Sequence, residues 1–488
     1  MYILSAPLAW LLGIPESGVR LFLTLLTGYP IAYYYHKRYV IEAPNAGPRE
    51  RNHYILCSGI LLSFLFNVLD IFHSLFTIVV SYYICYLGDQ FHNRKAGAIA
   101  VWTFNIVYLL IGYVYVASDS YDINWTTTQC VLCLRLMGFS SDFMDGNAML
   151  HSTLEEQKKE EERQQREKHP HSFGQDAPLK SLPDFEQVLG YCFFPSAFLI
   201  GPQFSFSLYR RFLSGPYNAI KQEDMAYTQQ IQSSYVRRCL AIGLCYIFVL
   251  QTVGSGYPTT YLLTEEYRSQ GLLTRLMDFW MCGKMVYVKY LGVWLLTEGT
   301  SSLFGISYEG DGEHNQPSFA GLANARPLRF EFATSIEHLI PTFNINTNLW
   351  VKHYVFKRLR FLGNKDLSQL GALLFLAIWH GYHFNYFQTF FLEFSFIFVE
   401  RLIRKRIYFP IVQPLFSEHK CVLWLWKGIA WLSTSFCFNY AIAGFDLLTF
   451  KRGIKAYNSV YWLGHLSVIA VIVGYVALGK PKRHHKSS

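Results

Sequence analysis

Long apolar runs separated by short polar segments make up most of the chain. A bilayer core of about 30 Å needs roughly 20 apolar residues in a helix. The runs that approach or exceed this length are 17–34, 54–87, 96–117, 236–262, 275–297, 384–400, 422–446 and 457–478. Shorter apolar pieces at 3–14, 126–138, 185–201 and 369–380 are expected to be tilted, broken or buried helices. Because 54–87 is long enough for two spans, the pattern predicts an all-α polytopic membrane protein with ten or eleven spans.

Composition and charge strengthen this interpretation. Of 488 residues, 51% are hydrophobic and 16% are charged, against roughly 25% charged in ordinary soluble domains. The net charge of +9 lies in loop clusters such as Arg401–Arg406 and the tail KPKRHHK. Basic loops are typical of the cytosolic side of membrane proteins, so we expect the tail to be cytosolic. Nucleic-acid binding is excluded, since no basic stripe lies on a soluble domain.

The chain is expected to form a single polytopic domain over 1–488. Within it, 151–182 begins with a block of charged residues and predicts a solvent-exposed loop. A second long polar region spans 300–340, and loops of this length in a compact membrane domain are often functional. No repeat is visible in the motifs, which weakens the alternative of a transporter built from inverted repeats.

No metal site and no disulfide are expected. The ten cysteines lie mostly in apolar stretches, which is typical of small hydrophobic residues. CVLC at 130–133 has the spacing of half a zinc site, but no second pair lies near it. Asn124 begins a glycosylation sequon, and the adjacent apolar run is expected to hold it close to the bilayer.

Ionisable residues inside apolar runs are costly and suggest function by default. Those found here are Asp70, His73, Lys284, Lys289, Glu298 and His380. Asp70 and His73 share a helix face and are expected to satisfy each other. We expect the two lysines to extend their ammonium groups to the interface. Glu298 lies one helical turn after Trp294 and is a candidate for a buried polar centre.

Two stretches stand out as candidate sites. FNINTNLWVKHYVFKRLRFLGN, 343–364, begins with Asn344, Asn346 and Asn348 at alternate positions. Trp350 then opens an amphipathic run with the basic residues Lys352, Lys357, Arg358 and Arg360. From the pattern alone this is a capped helix start followed by an interfacial basic helix. FLAIWHGYHF, 375–384, holds His380 between Trp379 and Gly381, with His383 one helical turn further on. Taken alone, His380 is best interpreted as a satisfied core histidine.

Together, however, these stretches resemble the paired signature of the membrane-bound O-acyltransferase family. The elements that match are Asn344, the basic run, and Trp379-His380-Gly381. Further blocks at 121–146, 193–209 and 289–299 follow the order of that family's membrane core. FKRLRFLGNKDLSQ, 356–369, is similar to the lysophospholipid acyltransferase branch. The resemblance extends over roughly 20–480.

The resemblance implies a helical chamber of about eleven transmembrane helices with short interfacial helices. It implies transfer of an acyl group, with polyunsaturated chains expected, from acyl-CoA to the hydroxyl of lysophosphatidylcholine and related lysophospholipids. It assigns the general base to His380 and a second catalytic role to Asn344, either stabilising the oxyanion or orienting substrate. Substrate-binding candidates are Trp350, Lys352, Lys357, Arg358, Arg360, Trp379 and Glu298. No cofactor is needed, and the expected location is the endoplasmic reticulum membrane, with a homodimer possible.

Two alternatives remain open at this point. Lysophosphatidylserine, lysophosphatidylethanolamine or lysophosphatidylinositol is the main acceptor in the first, which differs only in headgroup contacts. The second, from another class, is a polytopic transporter or channel that uses Asp70, Glu298 and His380 as an ion path. Substrate-coupled ion flux without thioester cleavage would distinguish the transporter.

Overall fold

The computed structural model describes residues 1–117, 123–174 except 151–168, 176–215, 222–310, 316–418 and 420–478. Most of the charged block inside the predicted 151–182 loop, and the tail from 479, therefore lie outside the described residues. Throughout the described part the chain is helical and contains no strand. This agrees with the all-α class predicted from the apolar runs.

Twenty α-helices can be followed in chain order. They are α1 (Tyr2–Leu12), α2 (Glu16–His36), α3 (Pro48–Phe66), α4 (Asp70–Gln90), α5 (Arg94–Tyr115), α6 (Trp125–Leu150), α7 (Phe185–Cys192), α8 (Phe206–Leu213), α9 (Gln222–Thr252), α10 (Glu265–Ser269), α11 (Leu272–Phe304), α12 (Pro327–Glu331), α13 (Ile336–Leu339), α14 (Ile345–Val351), α15 (Lys365–His380), α16 (Phe384–Ile403), α17 (Leu415–Glu418), α18 (Lys420–Leu447), α19 (Phe450–Ser459) and α20 (Leu463–Ala477). Short π-helical and 3₁₀ turns join some of them.

Four stretches of the described chain are long and apolar enough to cross a membrane by themselves. They are Ile71–Gln90, Arg94–Tyr115, Asp224–Leu263 and Lys420–Leu447. A fifth forms if α19 and α20, which meet at a bend of 76°, count as one broken span. The chain is thus a multi-pass membrane protein, and the predicted number of about eleven spans stays a prediction. Several of the other apolar runs fold into helices that also carry buried charged or polar residues.

The backbone divides into two compact units. The first consists of Met1–Ile247, Leu291–Ala325 and Asn344–Arg358, and the second of Phe248–Tyr290, Arg326–Phe343 and Leu359–Ser488. Asn344 therefore belongs to the first unit and His380 to the second.

In the first unit, Arg135 stabilises an irregular segment between α7 and α8. Its side chain is 1% exposed and donates hydrogen bonds to the carbonyl oxygens of Tyr191, Cys192, Ala197 and Pro202 at 2.7–3.3 Å. Non-helical backbone is tolerated at membrane depth only where its polar groups are satisfied by protein or water. One buried guanidinium, with five donors, meets that need for four carbonyls. The run predicted at 185–201 is accordingly a broken helix.

In the second unit, ion pairs connect the segments around α16. Arg401 donates from Nε to Glu337 Oε1 at 2.8 Å and from Nη1 to Asp366 Oδ1 at 3.2 Å. The Arg401 hydrogen bond holds the pKa of Glu337 below its usual value. One turn earlier, Glu400 accepts the backbone N–H of Ile336 at 2.8 Å. These contacts fix α13 and the start of α15 against the end of α16.

Both buried lysines of α11 are paired, which corrects the expectation that they extend to the interface. Lys284 Nζ lies 2.7 Å from Glu331 Oε2, and Lys289 Nζ lies 3.2 Å from Asp446 Oδ1. Thr259 also donates to Asp446 at 2.8 Å. A partly buried ammonium is stabilised far better by a carboxylate than by an apolar neighbour. These pairs therefore belong to the architecture of the second unit.

Candidate active site

His380 is the last residue of α15, and the chain turns immediately after it. The helix begins at Asn364, whose side-chain oxygen accepts the backbone N–H groups of Asp366 and Leu367. It ends because Gly381 has φ 128° and ψ −172°, a conformation open essentially to glycine alone. His383 is the N-cap residue of α16, so it does not follow His380 on a continuous helix as the spacing had suggested. The WHG motif thus sets a helix end at the histidine.

Aromatic rings surround the His380 imidazole. Ring centroids lie 4.5 Å away for Trp379, 4.7 Å for Phe445, and 5.7 Å for both Tyr386 and Phe390. Within the described chain no group hydrogen-bonds either ring nitrogen. The imidazole is therefore held by packing, and its nitrogens are available to a substrate.

An apolar groove of about 480 Å³ lies next to this aromatic cluster. Its lining comes from α15, α16, α19 and α20, and consists of Leu370, Leu373, Leu374, Ala377, Phe384, Phe387, Gln388, Phe390, Phe391, Phe450, Trp462 and His465. Phe390 belongs both to the groove wall and to the rings around His380. A groove of this size and character suits a hydrocarbon chain.

Asn344 occupies the N-cap position of α14 in the left-handed region, with φ 47° and ψ 46°. Asparagine tolerates this conformation better than most residues. Its side-chain oxygen accepts a hydrogen bond from Asn324 Nδ2 at 3.4 Å. Because that contact engages the oxygen, the NH₂ group of Asn344 is left as the free donor of the amide.

Asn324 connects this asparagine to Glu298. The backbone N–H of Asn324 donates to Glu298 Oε2 at 3.1 Å, and Tyr235 donates its hydroxyl to Glu298 Oε1 at 2.5 Å. Asn324 Oδ1 accepts the backbone N–H of Asn346 at 2.9 Å. Glu298 is 3% exposed, so its carboxylate supports a buried polar network, as its position in α11 had suggested.

Sequence reasoning missed Asn324 and Tyr235. Asn324 lies in the polar 300–340 region, which was singled out only for its length. Its partners are far away in the chain, and no periodic pattern links them. The one signal was a cluster of asparagines on either side of a long polar segment.

The remaining candidates of the 343–364 stretch have separate structural roles. Trp350 is 1% exposed, donates to the carbonyl oxygen of Leu134 at 3.0 Å and stacks on Trp102. It packs in the core of the first unit. Asn346 is likewise buried and donates to the carbonyl oxygens of Leu322 and Ala323.

The predicted basic helix is broken. Helix α14 ends at Val351 and is followed by a π-helical turn, Lys352–Phe356, and a 3₁₀ turn, Arg358–Leu362. Arg358 makes a bidentate pair with Asp145, at 2.7 and 3.2 Å. Lys352 and Arg360 are exposed. Of the four basic candidates, Arg358 thus already has a carboxylate partner.

No cluster of three potential metal ligands occurs in the ranges that the structure describes. Cys130 and Cys133 of the CVLC motif are free thiols. Asn124 accepts the backbone N–H and the hydroxyl of Thr126 at 3.0 and 2.6 Å. The sequon asparagine therefore acts locally at the start of α6.

Comparison with known proteins shows similarity over nearly the whole chain. The model of the membrane-bound O-acyltransferase family matches residues 110–445. Lysophospholipid acyltransferase 5 of Drosophila melanogaster is 32% identical over 460 residues, covering 93% of this chain and 85% of that protein. The Homo sapiens protein of that name is 31% identical over 490 residues, covering 95% and 90%. Lysophospholipid acyltransferase 5 of Caenorhabditis elegans is 26% identical over 490 residues, covering 97% and 94%.

Proposed function

The chain belongs to the membrane-bound O-acyltransferase family and is an acyltransferase, and from this premise we propose that it esterifies lysophospholipids with acyl groups from acyl-CoA. Lysophosphatidylcholine is proposed as the main acceptor and polyunsaturated chains as the preferred donors. The observation that supports this reaction most directly is His380. Its imidazole has no hydrogen-bond partner in the described chain and lies at a helix end beside an apolar groove.

The proposed chemistry is a direct transfer. His380 accepts the proton of the lysophospholipid hydroxyl as its oxygen attacks the thioester carbonyl carbon. The tetrahedral intermediate then expels the coenzyme A thiolate, which takes the proton back from the histidine. General-base assistance of this kind is typically worth about 10²–10⁴ in rate. An alcohol is a poor nucleophile at neutral pH, so the reaction needs such a base.

Asn344 is proposed to stabilise the negative charge that develops on the thioester oxygen. The contact from Asn324 engages the amide oxygen of Asn344, which turns its NH₂ group into the available donor. Loss of one such donor costs about 3–4 kcal/mol in other enzymes. Pairing of Asn344 with His380 at one substrate is part of this proposal.

The substrates fit different parts of the chain. The apolar groove beside Phe390 is proposed to take a hydrocarbon chain. Exposed Lys352 and Arg360 are proposed to meet the phosphates of coenzyme A at the cytosolic surface. Trp379 contributes through its ring contact with His380. Arg358, Trp350 and Glu298 make internal contacts, so their roles are proposed to be structural.

Residence in the endoplasmic reticulum membrane follows from the proposed lipid chemistry. The reaction needs no cofactor, because acyl-CoA is itself a substrate. Assembly as a homodimer stays an open proposal.

The test uses purified full-length protein with acyl-CoA and an equimolar mixture of lysophospholipids, with products identified by mass spectrometry. We expect thioester consumption only when lysophospholipid is present, with the phosphatidylcholine product dominant. His380→Ala should reduce turnover at least about 10²-fold and Asn344→Ala about 10²–10³-fold. His383→Ala is the matched control, since His383 caps the next helix. Undiminished turnover in His380→Ala would show that the base is assigned wrongly.

A further inference from the structure

The second unit contains one intramembrane carboxyl group that the proposed reaction does not use. Glu393 lies in the middle of α16, between Leu392 and Phe394. No hydrogen bond or ion pair to it is present in the described part of the chain. Burying a carboxylate without a partner is costly, and ionisable residues inside the membrane are usually functional. Glu393 therefore needs an explanation that the fold itself does not supply.

The position of Glu393 on α16 directs it toward the protein interior. The outward face of this helix is marked by Phe384, 48% exposed, and Phe391, 59% exposed. At 100° per residue, Glu393 lies about 180° from Phe384 and about 160° from Phe391 around the helix axis. Its neighbours on the inward face are buried, with Tyr386 at 5% and Ile397 at 1% exposure.

Glu393 nevertheless stays only half-buried. A residue on the inward face that keeps accessible surface borders internal space and not lipid. The same face carries Tyr386, and Phe390 lies one turn before Glu393; both rings contact His380. Glu393 is about 10 Å beyond Tyr386 along the helix axis. The bonds that separate the reacting hydroxyl of a lysophospholipid from its headgroup nitrogen span a similar length.

We propose that Glu393 is the headgroup-selecting residue and binds the ammonium group of a cationic lysophospholipid headgroup, such as choline or ethanolamine. This inference rests on the proposed function. A carboxylate in an apolar setting gains most from a ligand of opposite charge, and aromatic rings such as that of Phe390 attract quaternary ammonium groups. Acceptors without an ammonium group, such as lysophosphatidylglycerol, gain nothing from Glu393.

The experiment compares Glu393→Gln with Glu393→Asp in the full-length protein. Lysophosphatidylcholine and lysophosphatidylglycerol compete for one acyl-CoA donor, and the ratio of the two products is measured by mass spectrometry. Glu393→Gln, which removes the charge and keeps the size, should lower the phosphatidylcholine to phosphatidylglycerol ratio at least about tenfold, through KM for the choline acceptor. Glu393→Asp should keep most of the preference. An unchanged ratio in Glu393→Gln, whatever the total rate, overturns the proposal.

Glu400→Gln is the matched control. It makes the same change on the same helix, but its carboxylate already accepts the Ile336 N–H, so the product ratio should stay at the wild-type value. A binding measurement separates this proposal from the proposed function. A phosphocholine lysolipid analogue that lacks the reacting hydroxyl should raise the unfolding temperature of wild type more than that of Glu393→Gln. An equal rise in both overturns headgroup recognition even if no turnover is found.

Discussion

At the scale of single residues, the network around Glu298 depends on a carboxylate with two acceptor oxygens. One oxygen accepts from Tyr235 and the other from the backbone of Asn324. Asn324 in turn contacts Asn344. The geometry of the candidate catalytic asparagine therefore rests on a residue of α11 that need not touch substrate.

We expect Glu298→Gln to lower both stability and turnover. The amide replaces one acceptor oxygen with a donor, so either Tyr235 or Asn324 loses its partner in a buried site. An unsatisfied buried donor costs about 1–3 kcal/mol. The free energy of unfolding should fall by that amount, and kcat should fall more than KM rises, because Asn344 is displaced. Thermal unfolding and steady-state kinetics on the purified protein measure both.

Glu309→Gln provides the comparison. Glu309 is exposed and accepts from Ser318 at 2.8 Å, and surface substitutions are usually within about 0.5 kcal/mol of wild type. If Glu298→Gln matched this control in stability and kcat, the network would have no bearing on Asn344.

At the scale of elements, the end of α15 determines where His380 lies. Gly381 stops the helix by adopting φ 128°. With Gly381→Ala this conformation becomes strained by about 1–3 kcal/mol. We expect the last turn to rearrange and move the imidazole, and misplacement of a catalytic group by about 1 Å can cost 10²-fold. Turnover should fall by about that factor, as measured with acyl-CoA and lysophospholipid.

The control for this change is Gly428→Ala. Gly428 lies inside α18 with no atom within 4 Å of an added Cβ, and alanine favours a helix over glycine by about 1 kcal/mol. Its activity should equal that of wild type. A fully active Gly381→Ala enzyme would mean that the helix end does not position His380.

Apolar periodicity predicted elements well where one helix runs straight through one run. The predicted 96–117 and 422–446 correspond to Arg94–Tyr115 and Lys420–Leu447. It failed at breaks. The predicted 457–478 is bent by 76°, since Tyr461 and Trp462 have positive φ, which hydropathy does not encode. The His380 and Asn344 positions came from motif resemblance, whereas Asn324 and Glu393 required tertiary contacts and exposure.

At the scale of the whole molecule, the outer surface of α18 indicates direct contact with lipid. Only 6% of the most apolar window of Lys420–Leu447 is buried, and Trp424 and Leu425 are 70% and 66% exposed. Contiguous apolar surface of this kind is unfavourable in water. This helix therefore crosses the bilayer with most of its side chains among acyl chains.

The bent pair α19–α20 determines on which side the C-terminal tail lies. The basic cluster Arg401–Arg406 predicts a cytosolic location for the end of α16. Helix α18 then crosses away from the cytosol, and the tail returns to it only if α19 and α20 together form one broken span. We expect this arrangement, because the basic tail KPKRHHK also favours the cytosolic side. An epitope tag after residue 488 in sealed microsomes should thus be digested by added protease without detergent. A lumenal marker protein should stay intact until detergent is added. A tag protected until that point would show that α19 and α20 form a re-entrant loop and that the tail is lumenal.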